Sequence, residues 1–202
     1  MFTVTKSLEL QGPLAVYLNY VISLAVLEAV QDIFQGNEAP LQLKWPNDLY
    51  SSGLKVGGVL IHSTFGAGKL CMQAGVGLNV LNRQPTTCLQ DLMEHSGIPG
   101  SICREVVLAG ILNHMETMLQ TLQQEGFEPL ESKYIHSWLH SEQEVDIEEK
   151  GEDGSQSIVS VTIKGLSPNG FLLAVDSDGR RFELQPDGNS FDMMKGLIRR
   201  KL

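Results

Sequence analysis

Between residues 41 and 80 the chain carries three runs of strand character, and the punctuation between them restricts how they can pair. Residues 41–45 alternate briefly. Residues 54–63 and 69–80 are longer, and Thr64-Phe65-Gly66-Ala67-Gly68 between them reads as a hairpin loop. Residues 2–10, with Phe2, Val4, Leu8 and Leu10, predict a further strand. A sheet must be covered by another layer, and helical patterns flank these runs. Pro13 suits a first helical turn, and Leu14, Leu18, Val21, Ala25, Ala29 and Ile33 follow at spacings of three and four until Gly36. A second helix is expected from about Ser101, as N-cap, to Gln124, burying Val106, Leu108, Ala109, Leu112, Met115 and Leu119. A third is expected from about Pro129 to His140.

The composition changes after Trp138. Residues 142–153 are strongly acidic and read as a solvated edge. Short strands follow over 157–164, 170–176 and 180–185, separated by Pro168-Asn169-Gly170 and Ser177-Asp178-Gly179, both strong turn signals. Strands at this spacing fit a small barrel, so the expected division is 1–141 and 142–202.

Over 202 residues, 42% apolar and 19% charged composition is ordinary for a globular protein. Fifteen Lys/Arg against 24 Asp/Glu gives net −9, which argues against a nucleic-acid partner bound through its phosphates. The longest uninterrupted apolar stretch, residues 21–27, contains Ser23 and precedes Glu28, so no membrane partner is expected. The N-terminus lacks the pattern of a signal or transit peptide. Cys71, Cys88 and Cys103 form no Cys-x-x-Cys pair, which fits a reducing, cytoplasmic setting.

Several familiar patterns fail on inspection. Gly66-Ala67-Gly68-Lys69 ends like a phosphate loop, but its first glycine would be Ser63 and its hydroxyl residue Leu70. Gly75-Val76-Gly77 opens like a dinucleotide fingerprint, but Val80 stands where the third glycine belongs. His136 and His140 are four apart, with no third metal ligand evident; surface histidines at a helix end are the simpler reading.

One constellation holds: Lys44-Trp45-Pro46-Asn47-Asp48, then Lys55-Val56-Gly57-Gly58, then Gly75-Val76-Gly77-Leu78-Asn79. By itself the first part is a rigid turn after a strand, with Trp45 more readily a packing wedge than a ligand contact. Paired glycines inside a strand weaken it and mark close approach of a ligand or of another backbone. Lysines, a carboxylate and such gaps on neighbouring strands point to a pocket for an anion.

At these residues the chain resembles the biotin protein ligase (holocarboxylase synthetase) family, and 184–192 resembles its eukaryotic branch. The resemblance implies an α+β fold: a class II aminoacyl-tRNA synthetase-like mixed sheet flanked by helices, followed by a small SH3-like β-barrel. It implies ATP and biotin as substrates, Mg²⁺, and carrier domains of biotin-dependent carboxylases as partners. It further implies that Lys55 is catalytic, that Lys55, Gly57 and Gly58 contact biotin, and that Lys44, Asn47, Asp48, Gly77 and Asn79 serve the nucleotide; no metal ligand is assigned. The family's Gly-Arg-Gly-Arg loop has no counterpart here. The expectation is therefore an N-terminally incomplete catalytic domain that holds biotin weakly. A noncatalytic short form that binds carrier or full-length ligase is the alternative, and a lipoate ligase a more distant one.

Overall fold

The chain divides into two units, Met1–Leu139 and His140–Leu202. The computed structural model describes residues 1–150, 156–185, 191–192 and 197–199, with backbone only at 148–150, 156, 191–192 and 197–199.

In the first unit, strand β1 (Phe2–Leu8) leads through a 3-10 turn, Gly12–Tyr17, into helix α1 (Leu18–Ile33). Strands β2 (Gln42–Lys44), β3 (Asp48–Ser51), β4 (Leu54–Gly66) and β5 (Lys69–Leu78) follow, then helices α2 (Leu89–His95), α3 (Arg104–Glu125) and α4 (Glu128–Ser137). The strands form a five-stranded sheet in the order β1-β5-β4-β3-β2. Every pair is antiparallel. The parallel component of the expected mixed sheet is a single bridge between Leu43 and Trp138 at the β2 edge.

Two-residue turns fix the register. Ala67 and Gly68, with φ of 50° and 76°, close β4 on β5; Ser52 and Gly53, at 48° and 78°, close β3 on β4. Both match the twist that a tight hairpin requires. On one face of β4 and β5 lie Val59 opposite Val76 and Ile61 opposite Ala74, and Val59, Met72, Ala74 and Val76 are buried. Gly58, Leu60, Gly75 and Gly77 alternate with them and belong to the other face.

Helix α1 packs against both β4 and α3. It is therefore apolar nearly all round, with Leu18, Val21, Ile22, Leu24, Val26 and Val30 all buried. Each such side chain contributes about 1.5–3 kcal/mol relative to exposure. By length and composition alone, the helical segment Gly12–Ile33 could cross a membrane. Burial of 61% of its most apolar window within the protein accounts for that composition. Close packing of α1 on α3 uses a small pair: a Cβ on Gly110 would lie 3.3 Å from Ala29 Cβ.

Helix α3 begins at Arg104, after Cys103 in extended conformation. Its buried side is Val107, Ile111, Met115, Met118, Leu119 and Leu122. Val106 and Leu112, expected inside, are 61% and 39% exposed.

In the second unit, β6 (Glu144–Lys150), β7 (Gln156–Leu166), β8 (Leu172–Asp176), β9 (Arg181–Leu184), β10 (Phe191–Asp192) and β11 (Leu197–Arg199) form one sheet, ordered β10-β11-β6-β7-β8-β9. The β11–β6 pair is parallel. The acidic run is thus no solvated edge. It supplies an interior strand whose Val145 and Ile147 are buried while Glu144 and Asp146 face out. At the β8–β9 turn, burial raises the Asp176 carboxyl, but the Arg180 and Asp178 N–H groups and the Arg180 guanidinium outweigh it and hold the pKa below its ordinary value. Residues 151–153 of the acidic run and 186–190 of the eukaryote-like segment lie outside the described residues. His140 is buried beyond the end of α4 with Nδ1 2.8 Å from Gln143 Oε1, whereas His136 is exposed, so they do not form a helical pair.

Candidate active site

Register alone assembles most of the expected residues. Lys44 lies opposite Asp48, Asp48 opposite Gly58, and Gly58 opposite Gly77. Directly opposed residues share a face, so one row crosses four strands, charged at one end and bare at the other. At roughly 4.8 Å per strand the row spans about 14 Å.

Lys55 reaches this row through an irregularity. It stands three positions before Gly58, and in a regular strand the two would point to opposite faces. The β3–β4 register shifts between Leu49 and Tyr50, so that Gly57 faces Leu49 but Lys55 faces Tyr50. The extra residue, Val56, is fully buried. This bulge turns Lys55 to the side of Asp48 and Gly58, as bulges beside functional sites commonly do. Lys55 Nζ then sits 2.6 Å from Asp48 Oδ1. With side chains 50% and 23% exposed, such a pair contributes only ~0–1 kcal/mol to stability. What it fixes is direction.

The two glycines of the motif divide the work. A Cβ on Gly58 would lie 2.6 Å from Asp48 Oδ1 and 3.5 Å from Lys55 Cε, so its bareness makes room for the ion pair. A Cβ on Gly57 would instead lie 2.6 Å from Gly77 O and 2.9 Å from Leu78 Cδ1. Gly57 is buried against β5, away from the row. The absence of a side chain at Gly57 is required by strand packing. Gly77 keeps open space: the atom nearest to its Cβ position is Gly58 O at 3.9 Å.

Two expected ligand contacts are occupied within the protein. Asn47 Nδ2 donates to Val59 O at 2.6 Å, and Val59 N–H donates back to Asn47 O at 2.8 Å, stapling the turn to β4. Asn79 Nδ2 donates to Thr86 Oγ1 at 3.1 Å and to Thr87 O at 3.2 Å, while its Oδ1 accepts from Asn82 Nδ2 at 2.8 Å. Both amides are thus held in place by bonds within the protein. Lys44 Nζ lies 5.4 Å from the Tyr50 ring centre, at the outer end of the row. Trp45 is 1% exposed and donates Nε1–H to Tyr20 Oη at 2.7 Å, the wedge expected of it. Burial raises the Tyr20 pKa, against the lowering effect of that hydrogen bond.

Thr86 carries no signal in the sequence, yet its hydroxyl donates to Lys55 O at 3.0 Å. Its loop is clamped by Arg83, which bonds Asp91 at 2.7 Å and Glu94 at 2.7 and 3.1 Å. Hydrogen bonds from Arg83 and Gln90 hold the Glu94 carboxyl below its ordinary pKa. A cavity of about 590 Å³ opens elsewhere, on the helix-covered side between β5 and α3, lined by Phe2, Val76, Leu78, Val107 and Ile111. It contains none of the row.

Residues 1–79 match the family described as "Biotin/lipoate A/B protein ligase family". Biotin–protein ligase 1, chloroplastic, of Arabidopsis thaliana is 45% identical over 100% of this chain and 56% of its own length. Residues 1–79 carry the biotin/lipoate protein ligase domain. The biotin–protein ligase of Homo sapiens is 34% identical over 90% of this chain and 25% of its own length. Among solved structures, the Aquifex aeolicus biotin protein ligase in complex with biotin and ATP superposes with a TM-score of 0.64 at 27% identity, covering 91% of this chain and 75% of that one. The chain thus spans about half the length of the Arabidopsis relative. Lys44, Asp48, Lys55, Gly58 and Gly77 all fall within the segment matched to the ligase family.

Proposed function

We propose that the chain is a biotin–protein ligase. In the first step a biotin carboxylate oxygen bonds to the α-phosphorus of ATP and the bond to the bridging α,β oxygen breaks, giving biotinyl-5′-AMP and pyrophosphate. In the second, the ε-amine of a lysine in a carboxylase carrier domain attacks the anhydride carbonyl. An amide forms, AMP departs with the bonding pair, and the amine's proton is lost to solvent.

The observation that carries this reading is the Lys55–Asp48 pair, 2.6 Å apart above the unsubstituted Gly58. Two anions must meet in the first step, and a fixed ammonium at their junction stabilises the charge that grows there. Asp48 aims that ammonium. Gly58 makes room for the ion pair, and Gly77 leaves the floor open for a ligand to lie against the backbone. Lys44, at the far end of the row, suits phosphate. The ligases among the relatives favour catalysis over a noncatalytic short form.

Among the described residues no group of three carboxylate, histidine or cysteine side chains could hold a metal, and Asp48 is already engaged by Lys55. Mg²⁺ therefore enters as part of the MgATP substrate, carried by phosphate. The second unit, with its short strands and alternating buried Val145, Ile147, Val161 and Ile163, fits the SH3-like barrel. A reducing, cytoplasmic setting accords with three free cysteines.

The test is isotope exchange between pyrophosphate and ATP by the purified chain. Exchange that requires biotin supports the reading. Exchange absent at saturating biotin, or indifferent to it, overturns it.

A further inference from the structure

We propose that Thr86 is the positioning residue for Lys55: its hydroxyl, oriented by Asn79, locks the β-bulge that turns the lysine toward the site. This rests on the ligase reading for its catalytic consequence, though the geometry stands independently.

Strands β4 and β5 pair from Gly66↔Lys69 as far as Gly57↔Leu78. Beyond that point β5 ends. Asn79 N–H donates to Val56 O at 2.9 Å, and the Thr86 hydroxyl donates to Lys55 O at 3.0 Å. That hydroxyl in turn accepts from Asn79 Nδ2 at 3.1 Å, which leaves its proton directed at Lys55 O. One asparagine thus holds Val56 through its backbone and Lys55 through Thr86.

The arrangement matters because a bulge is a choice between registers. Removing the extra residue from the ladder would send Lys55 to the opposite face, since each one-residue slip inverts side-chain direction. Asp48 restrains the ammonium and Thr86 restrains the backbone from which it extends. Arg83 holds the loop carrying Thr86 through Asp91 and Glu94. The hydroxyl bonds the Lys55 main chain, so its effect on chemistry is exerted through Lys55.

The test compares Thr86→Val, which keeps shape but loses the donor, Thr86→Ala, and Thr86→Ser, which restores the donor. The first readout is trace acetylation of lysine amines, followed by mass spectrometry, with Lys69 and Lys133 as internal references. Val and Ala are expected to change Lys55 labelling by at least about twofold, the scale of one lost hydrogen bond, leaving the references unaltered. Ser should match the unmodified chain. Unchanged Lys55 labelling in Thr86→Val, or equal changes at all three lysines, overturns the proposal. The second readout is pyrophosphate exchange, where kcat should fall about 10- to 100-fold on misplacement of a catalytic group with KM for biotin and MgATP little altered. A fall confined to KM overturns a positioning role. If the unmodified chain shows no biotin-dependent exchange, the ligase reading fails while the labelling still decides the case for Thr86.

Discussion

Gly57 and Gly58 are neighbours in one strand, yet a methyl group would meet a different obstacle at each. At Gly57 it would press on the Gly77 backbone carbonyl at 2.6 Å, and neither strand can yield cheaply. Gly57→Ala should lower stability by about 1–3 kcal/mol, the scale of an overpacked core, read as a lower Tm. At Gly58 it would meet the end of a flexible side chain, Asp48 Oδ1, also at 2.6 Å. Gly58→Ala should leave Tm nearly intact while breaking the Lys55–Asp48 pair and depressing exchange. Equal effects of the two variants on Tm would contradict this division. Lys55→Ala should reduce biotin-dependent exchange by roughly 10²–10³, as for loss of one preorganised donor. Lys55→Arg should recover only part, since a planar fork replaces a point charge; a near-normal rate for Lys55→Ala would remove Lys55 from the chemistry. These residues were legible in the sequence because each is unusual where it stands: a lysine beside glycines, and glycines inside a strand. Thr86 was not, because its partner is 31 positions away and threonines in loops are common.

At the scale of elements, most strands were readable, long or short, and β3 was not. Strand β3 has four residues and begins at Asp48, the last residue of what reads as a turn. The clue lay on its other side, in Ser52-Gly53, both at positive φ. Helix α2 has seven residues and no side-chain cap. For α3, periodicity identified a helix but not which of two adjacent apolar stripes faces inward; packing on α1 decided it. Ile111, 1% exposed, should cost about 2–5 kcal/mol as Ala, whereas Leu112, 39% exposed, should be nearly neutral in denaturant titrations. The loop carrying Thr86 has a pH dependence of its own. Because the Glu94 carboxyl is lowered in the folded state, its contribution is present above its ordinary value of 4.5 and is lost as pH falls through the lowered one. Amide protection across residues 80–88, corrected for intrinsic rates, should fall in that acid range, and Glu94→Gln should abolish the transition.

For the whole molecule, the composition changes after Trp138 and the structure divides after Leu139. A chain ending at Leu139 retains the core built around α1 and should unfold cooperatively. Its transfer of biotin to a carrier should fall more than its pyrophosphate exchange, and full transfer would make the second unit dispensable for that step. The two hairpin turns also order events in time. Asp48 and Lys55 lie within the β3–β4 hairpin, and hairpins close in about 1–10 μs. The sheet is completed only when Phe2 meets Val76, a contact distant in sequence and correspondingly slow. The charged half of the site is therefore a local product of the chain, able to form before the fold closes and to outlast the first strand when it opens.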